Sequence, residues 1–206
     1  MWNTAENKLR EVLNDFWCEY TEAIGEAAFY GPKLDVEVKP AVWPEVTLST
    51  CQLDFLLPRR FELTYNDKDG EKKTPVVIHR AIFGTFDRFT AFLLEETKWV
   101  FPLWLAPEQI KIVTVADAFS DYAHKVCDDL RTNNFRVSVD ESWDSLNKKI
   151  RNAELKKIPY ILILWEKEKN SGWVSVRVFK TKEQYEQSFD EFLQAMKEKR
   201  DSKSID

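Results

Sequence analysis

Glycine is scarce, at five residues in 206, and histidine scarcer still, at two. So little glycine leaves no phosphate-cradling P-loop and no dinucleotide-binding fingerprint. HExxH, GxSxG and any Cys/His cluster are all absent. A stable zinc site wants four ligands, or three plus water, so this chain alone is not expected to complete one. The three cysteines, Cys18, Cys51 and Cys127, are odd in number, none sits in a CxxC pair, and no spacing suggests a disulfide framework. Their natural setting is reducing, and the expected location is cytoplasmic. No window of about twenty apolar residues exists, so no membrane span is expected. The opening residues also lack the charged-then-apolar pattern of a secretory signal. Positive charge is not in excess: the formal net charge is -5 and the pI about 5.3, which argues against coating nucleic acid by bulk charge. A local basic patch on an acidic protein can still contact phosphates. Lys148, Lys149 and Arg151, followed by Lys156 and Lys157, are candidates, and their plainer reading is a solvated helix face.

What is present suits a folded protein. Hydrophobic residues make up 44% of the chain, with eight Trp and fourteen Phe, enough for a substantial core in one large domain or two small ones. Apolar spacing at Trp2, Leu9, Val12, Leu13 and Phe16 predicts an amphipathic helix over 2–18, with Asn3 or Thr4 as cap and Glu6 in its first turn. Residues 28–39, 45–55 and 60–66 read as strands, the first from the period-two alternation of Leu34, Val36 and Val38 with Asp35, Glu37 and Lys39. A turn-like run from Asn66 to Gly70 predicts a hairpin around 66–72. Val76, Val77 and Ile78 read as a buried strand, and a helix follows over 85–96. Residues 102–107 look like a linker. Beyond it the reading is strand 110–115, helix 120–132, strand 135–139, basic helix 145–157, strands 160–165 and 173–179, a final helix 182–199, and a polar tail. Strands alternating with helices imply an α/β second domain with a mostly parallel sheet. The domains are expected to meet near residue 106, and no internal repeat is visible.

Three positions carry chemistry worth weighing. His79 follows an apolar strand, where a lone histidine is more often a satisfied structural residue. Arg88 lies early in a helix beside Asp87. The pair reads either as a surface ion pair or as a phosphate ligand, since a guanidinium matches phosphate oxygens in a planar fork. Tyr30-Gly31-Pro32-Lys33 is a tight turn carrying a cation, or simply a loop with a solvated lysine. Residue chemistry alone reaches a soluble two-domain α/β protein with a candidate anion site.

Five stretches, in order along nearly the whole chain, add a resemblance. AFYGPKLD at 28–35, CQLDF at 51–55 with Leu57-Pro58 and Arg60-Phe61 after it, PVVIHRAIFGTFDR at 75–88, WLAP at 104–107 and SLNKKIRNA at 145–153 resemble the threonyl members of the class II aminoacyl-tRNA synthetases. The 75–88 stretch resembles motif 3 of that class. The implied fold class is mixed α/β: part of the antiparallel-sheet catalytic domain over 1–106, an α/β anticodon-binding domain over 107–200, and a polar tail over 201–206. The implied function is ATP-dependent attachment of threonine to its tRNA, with magnesium and zinc. By the same resemblance Arg88 would hold the ATP γ-phosphate from a helix N-terminus. Lys33 would stabilise negative charge developing near the α-phosphate. Tyr30, Gln52 and Thr85 would line the threonine and adenylate pocket, and His79 would be one of three zinc ligands. Zinc would recognise threonine's amino and hydroxyl groups, which an apolar pocket cannot do against valine. Trp143, Glu168 and Arg177 fall where the family places anticodon contacts.

Departures shape the expectation. Motif 1, motif 2, the other two zinc ligands and the editing domain are not found, and neither Cys18 nor His124 occupies a matching position. Ala27, Asp87 and Trp165 stand for a family Gly, Glu and Gly. Trp143 stands for an anticodon-reading Asn, in the run Asp140-Glu141-Ser142-Trp143; it can stack on a base but cannot make the same hydrogen bonds. Met1 reads as an internal methionine of a longer ancestor. The chain is therefore expected to be inactive alone. A second chain supplying motifs 1 and 2 would complete it; a non-catalytic tRNA-binding or regulatory relic, or an interaction protein, are the other readings.

Overall fold

A computed structural model describes residues 1–40, 44–166 and 171–205. The chain divides into two compact units, Met1–Glu96 and Thr97–Asp206.

The first unit opens with α1, Trp2–Asp15. Met1 takes the cap position without a side-chain bond, so Asn3 and Thr4 lie inside the helix rather than at its start. Trp2 Nε1 instead ties the first turn together by donating to Glu6 Oε1 at 2.7 Å. Then come β1, Lys33–Val38, and β2, Val46–Asp54. The expected strand over 60–66 is mostly a helix and its exit: α2 covers Leu57–Arg60 and β3 only Tyr65–Asn66. Asp54 explains the change, because its Oδ1 accepts the amides of Leu56 at 3.0 Å and Leu57 at 2.9 Å. Those donors have no partner inside a helix, and Pro58 is tolerated in that first turn for the same reason. β3 pairs with β4, Lys72–Lys73, across the expected turn, where Gly70 adopts φ +77°. β5, Val77–Ala81, and α3, Phe86–Glu96, complete the unit. The strand expected to be buried is not, since Ile78 is 61% exposed. The sheet runs β1-β2-β5, antiparallel throughout.

The second unit holds both buried apolar clusters. Its elements are β6, Ile110–Thr114; a 3-10 turn; α4, Ser120–Thr132; β7, Val137–Asp140; α5, Leu146–Leu155; β8, Tyr160–Leu164; β9, Trp173–Val178; β10, Gln184–Ser188; and α6, Phe189–Asp201. The sheet order is β10-β9-β8-β6-β7. β6 pairs parallel with β7 and β8, but β8–β9 and β9–β10 are antiparallel, so the sheet is mixed rather than mostly parallel. The source of the difference lies in 182–199, expected to be one helix: residues 184–188 instead pair with β9, and α6 starts only at Phe189.

β8 reads Tyr-Ile-Leu-Ile-Leu and is buried along its whole length, as a central strand covered on both faces should be. Successive side chains alternate between the faces. Tyr160, Leu162 and Leu164 join α4 and α6 in one cluster, while Ile161 and Ile163 join Ala153 of α5 in the other. The 102–107 stretch is packed into this unit rather than acting as a free linker. Leu103 and Ala106 are buried, Gln109 Nε2 donates to the Leu103 carbonyl at 2.8 Å, and Arg136 donates to the carbonyls of Ala106 and Trp104, each at 2.9 Å. No helix among the described residues is long and apolar enough to cross a membrane.

Candidate functional site

In the first unit, the antiparallel register sets three residues distant in sequence side by side. Lys33 of β1 lies opposite Gln52 of β2, and Gln52 lies opposite His79 of β5. Directly opposed residues project from the same face with Cβ atoms about 5 Å apart, so the three form one row across the sheet. Tyr30 joins them, its ring edge-on to His79 with centroids 5.9 Å apart.

Gly31 lets this happen. A Cβ at that position would sit 1.8 Å from the Leu53 carbonyl oxygen. Without one, the Tyr30–Pro32 backbone lies against β2, its carbonyls accepting the amides of Leu53 at 3.1 Å and Phe55 at 3.0 Å. The Gly31 carbonyl takes Gln52 Nε2 at 3.3 Å, and Gln52 is buried.

Electrostatics tune the row. Lys33 Nζ pairs with Asp35, whose other oxygen accepts Thr50 Oγ1 at 2.8 Å. The hydrogen bond that Lys33 donates to Asp35 is the main reason its ammonium is held above its ordinary pKa. His79 Nε2 lies 2.8 Å from Asp54 Oδ2. Burial pushes the Asp54 carboxyl up, yet the bonds from His79 and from the Leu57 and Leu56 amides outweigh it and leave the group below the usual carboxylate range.

Arg88 is the third residue of α3 and is exposed, and its amide reaches Thr85 Oγ1 at 3.4 Å. Among the described residues its guanidinium has no hydrogen-bond or ion-pair partner, so the surface pair with Asp87 does not form. Arg88 and Thr85 make no hydrogen bond or ring contact with the row.

The metal expectation has a geometric test. A carboxylate behind a histidine ring is a common support for a metal ligand, and His79 with Asp54 has that form. The ligand count does not follow: among the described residues no group of three His, Cys, Asp or Glu could hold an ion. The described residues therefore do not fit a complete zinc site.

In the second unit, Trp143 stands 93% exposed beyond β7. Its loop is held by Asp140, whose Oδ1 accepts the Ser142 amide at 3.0 Å. The candidate basic patch is largely spent on internal bonds. Lys149 is buried and donates to the Asp140 carbonyl at 3.3 Å, Lys148 pairs with Asp144 at 2.8 Å, and Lys157 donates to the Lys98 carbonyl at 2.8 Å. Arg151 and Lys156 remain exposed. Glu168 lies outside the described residues.

Arg177 lines a pocket of about 320 Å³ with Asn147, Trp165, Ser175 and Gln184. That is the lower end of the range of about 300–1,000 Å³ typical of small-ligand pockets. Gln184 Nε2 donates to Ser175 Oγ at 3.1 Å, and Arg177 Nε donates to Glu154 Oε1 at 2.9 Å. Sequence reading missed Asn147, Glu154 and Gln184. Each sits near other polar residues, with nothing local to set it apart from them.

Both halves of the chain have relatives among known proteins. Residues 1–97 match the family described as the tRNA synthetase class II core domain (G, H, P, S and T), and residues 109–199 match the anticodon binding domain. The threonine–tRNA ligases of Staphylococcus aureus strains JH9 and Newman are each 51% identical over 194 residues, covering 94% of this chain and 30% of theirs. The chain thus spans about 30% of the length of those curated relatives. A crystal structure of the RNA binding domain of threonyl-tRNA synthetase from Cryptosporidium parvum Iowa II is similar with a TM-score of 0.84 and 35% identity, over 96% of this chain and 50% of that one. A protein assigned as a threonyl-tRNA synthetase from Aeropyrum pernix is similar at TM-score 0.71 and 30% identity, over 98% of this chain and 49% of that one.

Proposed function

Since the chain belongs to the threonyl-tRNA synthetase family, with class II core and anticodon-binding domains, we propose that it serves threonine–tRNA ligation in the cytoplasm by binding the anticodon region of threonine tRNA. Residues 107–200 form the anticodon-binding domain in this reading, and 201–206 a tail. The observation that carries it is the Arg177 pocket, with its donors, acceptors and the indole of Trp165 inside the segment matching the anticodon binding domain. An unpaired RNA base is recognised by such a set: hydrogen bonds to its edges and an aromatic or guanidinium plane against its face. Trp143 and Glu168 are the other two proposed anticodon contacts.

Residues 1–106 contribute one wall of the threonine-activating site. Lys33 faces the α-phosphate of ATP-magnesium, Arg88 the γ-phosphate, and Tyr30, Gln52 and Thr85 border threonine and its adenylate. Each is a group whose charge or hydrogen bonds suit phosphoryl and carboxyl oxygens. His79 would be a single zinc ligand. Two more would have to come from residues outside those described, and a second chain carrying motifs 1 and 2 is the proposed source. Positioning and electrostatic terms are each worth several kcal/mol, so the chain alone is inactive.

One paired experiment tests both halves. The full chain is titrated with threonine tRNA and an unrelated tRNA at fixed moderate salt, and assayed for threonine-dependent ATP–pyrophosphate exchange. Preference for threonine tRNA with no exchange is the expected result. Equal affinity for both RNAs refutes the anticodon reading, and exchange by the chain alone refutes its dependence on a partner.

A further inference from the structure

Resting on the anticodon reading of Arg177, we propose that Glu154 is the positioning residue that sets how Arg177 presents its guanidinium to an unpaired RNA base. Glu154 lies on α5 and Arg177 on β9, 23 residues apart, and their side chains meet at 2.9 Å on the α5 face of the sheet. Among the described residues, only Nε of Arg177 is engaged. Its two terminal nitrogens have no hydrogen-bond partner among the described residues. A guanidinium held at Nε keeps its plane fixed while its outer edge stays open, the edge that pairs in bidentate fashion with base acceptors. Held this way, the arginine has less rotamer freedom to lose on binding.

The surroundings support the assignment. Both side chains are about three-quarters shielded, at 24% and 27% exposure, where an ion pair is screened less than at the surface. Lys182 Nζ lies 3.4 Å from the same Glu154 oxygen and 4.0 Å over the Phe179 ring, so the carboxylate carries compensation from two cations. Burial pushes the Glu154 carboxyl up, but the bond from Arg177 and the charge of Lys182 prevail and keep it low, hence ionised near neutrality. Glu154 does not itself line the Arg177 pocket, so it acts through Arg177 and not by touching RNA. The ligand is a single unpaired base presenting acceptor atoms, with Trp165 as an aromatic wall.

The test uses the full chain and a threonine anticodon stem–loop RNA, with three further stem–loops each altered at one anticodon position. Arg177→Ala, Glu154→Gln and Glu154→Ala are compared with the parent chain. Arg177→Ala is expected to reduce discrimination at one position by at least about fivefold, the lower end of what a bidentate pair supplies. Both Glu154 variants are expected to weaken discrimination at that same position, Glu154→Gln less, with affinity for the altered loops unchanged. Parental discrimination in both Glu154 variants, with loss in Arg177→Ala, overturns the positioning role and leaves the anticodon reading intact. Uniform weakening for all loops with a lowered unfolding midpoint also overturns it, since the pair would then merely tie α5 to β9. If Glu154→Ala does not fold, Glu154→Gln decides between these outcomes. Parental discrimination in Arg177→Ala refutes the anticodon reading itself.

Discussion

Asp54 holds three donors at once: the Leu56 and Leu57 amides at Oδ1 and His79 at Oδ2. It starts α2 and steadies the His79 ring, and it is wholly buried. Asp54→Ala leaves two half-buried amides without that partner, a loss of about 0.5–1.5 kcal/mol per hydrogen bond. The predicted outcome is faster hydrogen exchange at Leu56 and Leu57, with the second unit's amides unchanged. The pH dependence has a definite sign. A carboxyl whose folded pKa lies below its unfolded value stabilises above the unfolded pKa and loses that stabilisation as pH falls through the folded one. Protection of Leu56 and Leu57 should therefore hold at neutral pH and decline below about pH 4, while the Asp54→Ala chain lacks that decline. Tyr30, Lys33, Gln52 and His79 were legible in sequence as motif residues. Their adjacency was not, because it depends on the register of β1, β2 and β5 and on the close approach at Gly31, which no local pattern encodes.

At the scale of elements, the segments with a clear apolar period or run were the readable ones. β6, α4 and β8 fall where periodicity put them, since each fills one or both faces of a buried sheet. The misreadings cluster where local signals are polar. Residues 184–188, Gln-Tyr-Glu-Gln-Ser, carry no apolar alternation, and their strand state comes from pairing with β9 at Tyr185–Val176 and its neighbours. The start of α6 did have a signal: Ser188 followed three residues later by Glu191. The Ser188 hydroxyl accepts the Glu191 amide at 3.3 Å, and the Glu191 carboxylate returns to the Ser188 amide at 3.3 Å. This capping box satisfies donors that the helix cannot. Ser188→Ala is predicted to destabilise the second unit by about 0.5–2 kcal/mol, read as a lower midpoint in chemical denaturation with no change in denaturant slope. An unchanged midpoint would mean that pairing with β9, and not the cap, fixes where α6 begins.

Across the molecule, apolar burial is unequal. The second unit closes two clusters around its sheet. Among the described residues of the first unit Leu48 is the one large apolar side chain that is buried, while Phe16, Trp17, Ile24, Phe61, Phe83 and Phe86 are more than half exposed. Exposed apolar side chains of that size suit contact with further protein, which is in keeping with the proposed partner for the catalytic half. The second unit buries its own core, so the anticodon reading can be tested there directly. The most direct test is a hydroxyl-radical footprint of threonine tRNA bound to the full chain at fixed moderate salt. Protection confined to the anticodon loop and weakened by Arg177→Ala is the expected result. Protection spread evenly along the tRNA, or centred on the acceptor end with the anticodon loop open, would contradict it.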